Sequence, residues 1–465
     1  MNNRNSMSAT CPAIFFCAPA SGQGKTTVTA GIARYHKNQG LDVRVFKTGP
    51  DYLDPLILEQ ASSNPVTQLD MWMVGKQACK QFLYEAALEA DLILIEGVMG
   101  MFDGSPSGAD MAQYFGIPVI AIIDARAMAQ TFAAIAYGLA NYRPDSSYEG
   151  VDLRSLEFAG VIANKVGSDR HADLITEAMP ADVDLLACLK RDDGMQLPER
   201  HLGLVFPSEV SDIDQRLDAI ADIIASTQLI QLPKVVEFHP ATDCEAEAQN
   251  HYTDMQERLS NQRNSLNGIK VGIARDEAFS FIYAANIQFL TKMGAELIYF
   301  SPLNDSQLPD VDALWFPGGY PELHLAQLQA NKAIKRSIQT FYAAGKKILA
   351  ECGGMLYLQN TLTDLDGECF QMVGLIPGDG YMRERGGCQG MQYAPILGSD
   401  NPAGEVRAHA HHRSRSENTL EPIANGRRAW HPAPGEPIIK SRELLATYLH
   451  LYFPSNPEII LGLFK

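Results

Sequence analysis

No two of the eight cysteines, at positions 11, 17, 79, 188, 244, 352, 369 and 388, form a C-x-x-C pair, and their intervals are irregular. This argues against a zinc ribbon or a disulfide framework and for a reducing, cytoplasmic setting. The chain also lacks any apolar run near the ~18 residues needed to span a bilayer. Cys11–Ala20 is short and runs straight into Ser21-Gly-Gln-Gly-Lys-Thr-Thr27, so it reads as a first buried strand, not a signal-peptide core. Positive charge is scarce: 38 Lys+Arg face 55 Asp+Glu, a formal charge of −17. Phosphate and anionic-lipid binding are driven by Lys and Arg, so neither nucleic acid nor a membrane is an expected partner. An acidic chain that handles anions has to gather its positive charge locally.

Apolar material is ample. With 46% hydrophobic and 20% charged residues over 465 positions, the chain can fill a core and wholesale disorder is excluded. At ~150 residues per domain the length suggests roughly three domains, or two large α/β units. Ile14–Cys17, Val43–Lys47, Leu92–Ile95, Pro118–Ile123 and Phe158–Ala163 are short, continuously apolar runs, as strands covered on both faces require. Helical patterns at Lys25–Asn38 and Gly75–Leu88 lie between them, giving the βαβα rhythm of a doubly wound sheet. Thr242–Asn267 is polar, with a helix expected around Asp254–Asn264, and cannot supply a core. A second series starts at Lys270–Ala274 and continues through Glu296–Phe300, Ala313–Phe316 and Lys347–Ala350. The expected division is residues 1–232, a polar linker 233–267, and residues 268–465.

Ala18-Pro-Ala-Ser-Gly22-Gln-Gly24-Lys25-Thr26 follows an apolar strand and opens a helix. In that setting the backbone N–H groups of Gly22, Gly24 and Thr27 and the helix N-terminus form an anion cradle. Lys25 would reach the outer phosphates of ATP and Thr26 would ligate Mg²⁺. The strict G-x-x-x-x-G-K-[ST] pattern is broken by Pro19. Glu96 ends the run Asp91–Glu96, and Asp51 follows another strand; both are placed to serve the same Mg²⁺. Asp103 adds a third acid in the loop after Glu96. Partitioning and metallochaperone ATPases carry an early loop lysine where this chain has Ala20, which counts against that class.

In the second half, Lys346-Lys-Ile-Leu-Ala-Glu-Cys352-Gly353-Gly354 reads as strand, tight turn, helix. A cysteine on such a turn is exposed to attack chemistry, and the helix N-terminus is expected to favour its thiolate. Gly353, and Gly319 in Phe316-Pro-Gly-Gly-Tyr-Pro-Glu322, are candidate oxyanion donors. His450, in a strand-like run near the end, is the candidate base.

These motifs are specific in combination. The N-terminal half resembles dethiobiotin-synthetase-type P-loop proteins, and the C-terminal half resembles class I glutamine amidotransferase domains. In this order the fusion is similar to the cobyrinic acid a,c-diamide synthase family, through Gly49–Pro55, Glu96–Gly104, Phe316–Glu322 and Glu351–Gly354. The resemblance implies an α/β chain with two doubly wound domains, a P-loop NTPase followed by a flavodoxin-like amidotransferase. It implies ATP- and L-glutamine-dependent amidation of the a and c carboxylates of a corrinoid polycarboxylate, cobyrinic acid, through an acyl phosphate. Hydrogenobyrinic acid and nickel-sirohydrochlorin are alternative acids. A P-loop ATPase with a degenerate amidotransferase appendage is the alternative from another class. By the resemblance, Cys352 and His450 are catalytic, and Asn164 touches the nucleotide base. Asp51, Asp103, Arg407, His409 and His412 would contact substrate. A sheltered ammonia path and a homodimer are further expectations.

Two stretches depart from the family: Gln389–Tyr393 replaces Leu-Gly-Tyr-Arg, and in Arg407–Ser414 a customary Glu is Ala410. The histidine's usual acid partner is absent, because Tyr452 holds its place, and a metal-binding reading of His409, His411 and His412 is the minor alternative. From Tyr381 to Arg442 there are nine Lys/Arg against six Asp/Glu, the local basic stretch that an anionic substrate calls for.

Overall fold

The computed structural model describes residues 8–146, 148, 150–192, 199–200, 203–204, 210–241, 259–260, 262–398 and 404–465. The chain divides into two units, Met1–Ala246 and Glu247–Lys465. Among the described residues no helix is long and apolar enough to cross a membrane.

In the first unit, seven strands form one parallel sheet in the spatial order Thr67–Leu69, Val43–Thr48, Leu92–Glu96, Ala9–Cys17, Val119–Asp124, Phe158–Val166 and Leu185–Lys190. Leu92–Glu96 is buried at every position, which is why it carries no alternation of apolar and polar residues. The order reverses direction around Ala9–Cys17, so the loops after Ala9–Cys17, Leu92–Glu96 and Val43–Thr48 meet at one sheet edge. The helix Lys25–Asn38 starts at that edge and packs on Ile213–Ile224, where Arg34 Nε meets Asp218 Oδ1 at 2.6 Å.

Two details differ from expectation. Val235–Phe238 lies in the stretch read as linker, yet it pairs antiparallel with Ala9–Pro12. Its exposed–buried alternation is that of an edge strand, which is weakly apolar in sequence. Of the expected polar helix, residues 254–258 and 261 lie outside the described residues.

The second unit holds a ten-stranded sheet. Glu296–Phe300, Lys270–Ala274, Ala313–Phe316, Lys347–Glu351 and Leu444–Thr447 are adjacent and parallel. Pro434–Ser441, Ala424–Arg428, Gln389–Pro395, Glu405–His411 and Leu449–Leu451 extend it antiparallel. A four-stranded sheet of Cys369–Gln371, Gln359–Thr363, Ile376–Met382 and Ser414–Asn418 lies beside it in sequence. The run read as one strand around His450 is two, because the chain changes partner at Tyr448.

Candidate functional site

Two constellations form, one in each unit. In the first, Gly22 and Gly24 adopt left-handed φ values of 77° and 87°. At Gly24 a Cβ would sit 2.2 Å from Asn164 Nδ2, so only glycine lets the loop pass. Asn164 holds the loop from the other side: Nδ2 donates to the Gln23 carbonyl at 2.9 Å and Oδ1 accepts the Lys165 N–H at 2.9 Å. The amide expected to read the base also braces the phosphate loop. The helix opens at Lys25 with no acid in its first turn, which leaves the amides of Lys25, Thr26 and Thr27 suited to an anion. Lys25 Nζ donates to the Met99 carbonyl at 2.9 Å, and burial together with the nearby Lys47 lowers its pKa.

The acids converge on a lysine that the sequence reading left out. Lys47, 2% exposed, places Nζ 2.6 Å from both Asp54 Oδ2 and Glu96 Oε1, and 3.7 Å from Asp51 Oδ2. Burial opposes its charge, but Asp54, Glu96 and Asp51 outweigh that and hold its pKa well above the ordinary value. Asp54 and Lys47 were both visible in the motif. A lysine ending a doubly buried strand needs counter-charges, and the acids four and seven residues on are the signal. Asp51 also accepts the N–H groups of Leu53 and Asp54, and burial with Asp54 beside it raises its pKa to about 7. Asp103 folds its own loop, with Oδ2 accepting the Gly100 N–H at 3.0 Å.

Thr26 Oγ1 donates to Glu96 Oε1 at 2.9 Å, while Glu96 Oε2 is buried with no hydrogen-bond partner among the described residues. A hydroxyl and a carboxylate with an unengaged oxygen, at the mouth of a phosphate loop, fit Mg²⁺. That ion takes one or two carboxylates plus phosphate and water oxygens and needs no protein cage. No group of three or more His, Cys, Asp or Glu side chains gathers as a metal set among the described residues, His409, His411 and His412 included.

The second constellation is built on a strained turn. Cys352 follows the strand Lys347–Glu351 at φ 45° and ψ −108°, a conformation that L-residues rarely adopt, and caps the start of the helix Gly353–Leu358. Its N–H donates to the Thr447 carbonyl at 2.8 Å, and Sγ approaches the His411 carbonyl at 3.8 Å. At Gly318 a Cβ would lie 2.2 Å from His450 Cε1 and 3.3 Å from Cys352 Cβ; the ring and the thiol-bearing carbon close on one glycine. Gly319 N is 3.1 Å from where a Cβ on Gly353 would stand, so the two candidate oxyanion glycines are in contact.

The electrostatics correct one expectation. Burial and then Glu322 push the Cys352 thiol up, not down, so a resident thiolate is not favoured. Burial, with His409, His411 and His412 near, holds His450 well below the ordinary histidine value. A protonated thiol beside a neutral imidazole is an acid–base pair. Tyr452, in the place of the usual acid, packs edge-on to Tyr283 with ring centroids 6.1 Å apart.

The substrate-contact candidates lie on Glu405–His411 and just beyond. Arg407 is partly exposed; His409 is buried and stands opposite His450, with its pKa lowered to about 3 by burial and His411. His412 stacks on Tyr448 at 3.9 Å and places Nε2 3.3 Å from Glu436 Oε1. Ala410 packs into the core, so this departure from the family faces away from the site. Part of the basic stretch is internally paired, through Arg427–Glu405 and Arg415–Glu417.

Comparison with known proteins agrees across the whole chain. Residues 14–205 match the CobQ/CobB/MinD/ParA nucleotide binding domain, and 270–458 match the CobB/CobQ-like glutamine amidotransferase domain. The hydrogenobyrinate a,c-diamide synthase of Stutzerimonas stutzeri is 48% identical over 457 residues, covering 98% of each chain. That of Pseudomonas aeruginosa is 46% identical, over 97% of this chain and 96% of the relative. The cobyrinate a,c-diamide synthase of Herminiimonas arsenicoxydans is 44% identical, over 96% and 95%.

Proposed function

The chain belongs to the family of cobyrinate and hydrogenobyrinate a,c-diamide synthases, and from that membership we propose that it amidates the a and c carboxylates of hydrogenobyrinate, with cobyrinate as the second acid. It is a glutamine-dependent, amide-forming ligase that uses ATP. The observation that carries the substrate assignment is the identity of 48% and 46% to two hydrogenobyrinate enzymes along nearly the full length.

The chemistry follows from the two constellations. A carboxylate is a poor acyl donor, so its oxygen first attacks the γ-phosphorus of ATP and ADP leaves, giving an acyl phosphate. The loop amides and Lys25 offset charge on the transferring group. Thr26 and Glu96, with Asp51 near, would hold Mg²⁺, which would supply further charge neutralisation on the phosphates. In the second unit His450 takes the Cys352 proton as sulfur attacks the glutamine amide carbon. The N–H groups of Gly353 and Gly319 receive the oxyanion. Ammonia leaves, water hydrolyses the thioester to glutamate, and ammonia displaces phosphate from the acyl phosphate.

The test is mass spectrometry of products from hydrogenobyrinate, cobyrinate and nickel-sirohydrochlorin with ATP, Mg²⁺ and glutamine. Two successive losses of about 1 Da, one per carboxyl converted from OH to NH₂, are expected for hydrogenobyrinate. Amidation of cobyrinate or nickel-sirohydrochlorin alone would overturn the assignment of the acid. ATP hydrolysis with no amide in any arm would favour the ATPase reading.

A further inference from the structure

His450 sits on a strand of only three residues, Leu449–Leu451, which begins just after the chain has left its parallel partner Lys347–Glu351. So short a strand is weakly fixed by its own ladder. Side chains hold its end instead. Glu351 Oε1 accepts the Leu451 N–H at 2.9 Å, and Oε2 accepts Trp315 Nε1–H at 3.0 Å. Asn286 Nδ2 donates to the Leu451 carbonyl at 2.8 Å, and its Oδ1 accepts the Phe453 N–H at 2.8 Å. Glu351 is 1% exposed and lies immediately before Cys352, whereas Leu451 lies immediately after His450. One carboxylate is thus bonded through the chain to the nucleophile and through a hydrogen bond to the base's strand.

We propose that Glu351 is a positioning residue for glutamine hydrolysis, fixing the His450 imidazole relative to the Cys352 thiol by clamping the Leu451 main chain. The inference rests on the glutamine-hydrolysing reading above. A residue that only filled this space would be apolar, because burying a carboxyl is costly. Burial indeed raises the pKa of Glu351 to about 8. The two N–H bonds from Leu451 and Trp315 work against that rise, and an amide N–H in place of either oxygen would meet a donor head-on. The clamp also works where the missing acid would have acted, on the orientation of the histidine.

The test uses the full chain with Glu351→Gln, Glu351→Ala and Trp315→Phe, scoring glutaminase kcat and KM separately from ammonia-supported amidation. Because small misplacements of reacting groups are costly, Glu351→Gln is expected to lower glutaminase kcat at least about tenfold and Glu351→Ala about a hundredfold. KM for glutamine and the ammonia-supported rate should stay within about twofold of wild type. Trp315→Phe keeps the Leu451 bond and should lose no more than about threefold in kcat. Wild-type glutaminase kcat in Glu351→Gln would overturn the proposal, as would equal losses in Trp315→Phe and Glu351→Gln, or a parallel loss of the ammonia-supported rate. If Glu351→Ala fails to fold, Glu351→Gln against Trp315→Phe still decides. A wild-type protein that does not hydrolyse glutamine would overturn the underlying reading as well.

Discussion

Cys352 is a nucleophile that has to be made, and the residues around it say how. Its thiol is pushed up by burial and by Glu322, with Glu436 and Glu351 adding to the effect, while His450 is held neutral. The thiolate therefore forms as proton transfer to His450 accompanies attack, and is not stored at rest. Without glutamine, the rate of Cys352 carboxamidomethylation, followed by peptide mass, should keep rising through pH 9. A plateau below pH 8 would mean a resident thiolate. The sequence carried the residue types for this site but not the charge state. The turn Cys352-Gly353-Gly354 predicts a helix N-terminus that favours an anion, whereas the rise depends chiefly on burial beside Glu322 and Glu436, which no spacing encodes. Lys47 was legible in part. Asp51 and Asp54, four and seven residues on, signal a paired lysine, but its third partner, Glu96, comes from another strand and only the sheet brings it there.

At the scale of elements, the second constellation depends on how closely the Phe316–Glu322 loop approaches the Cys352 turn. Gly318 has no room for a methyl: its Cβ would meet His450 Cε1 at 2.2 Å, well inside van der Waals contact. Gly318→Ala should displace the imidazole and lower glutaminase kcat at least about a hundredfold, with ammonia-supported amidation unchanged. Measured kcat within about twofold of wild type would show that the ring does not act from where it lies. The parallel strands on either side were legible because each is buried on both faces and reads as an unbroken apolar run. Val235–Phe238 and the split at Tyr448 were not. The first has only one buried face, and the second is a change of partner within one apolar stretch, Leu444–Leu451, which periodicity cannot register.

At the scale of the whole chain, the formal charge of −17 is an average that conceals a local excess of base between Tyr381 and Arg442. Some of that excess is neutralised by its own neighbours, Glu405 and Glu417, and Arg383, Arg385 and Arg413 are exposed. We propose that these serve the corrinoid carboxylates and that 233–267, apart from the edge strand Val235–Phe238, links the two catalytic regions. We propose that one chain runs two separable reactions, glutamine hydrolysis at Cys352 and ATP-dependent acyl activation at the phosphate loop. The most direct measurement is corrinoid amidation by Cys352→Ser with glutamine and, in parallel, with ammonium at saturating ATP and Mg²⁺. The glutamine-supported rate should fall at least about a thousandfold while the ammonia-supported rate stays within about twofold of wild type. Loss of both rates in a folded variant, or survival of the glutamine-supported rate, would contradict it.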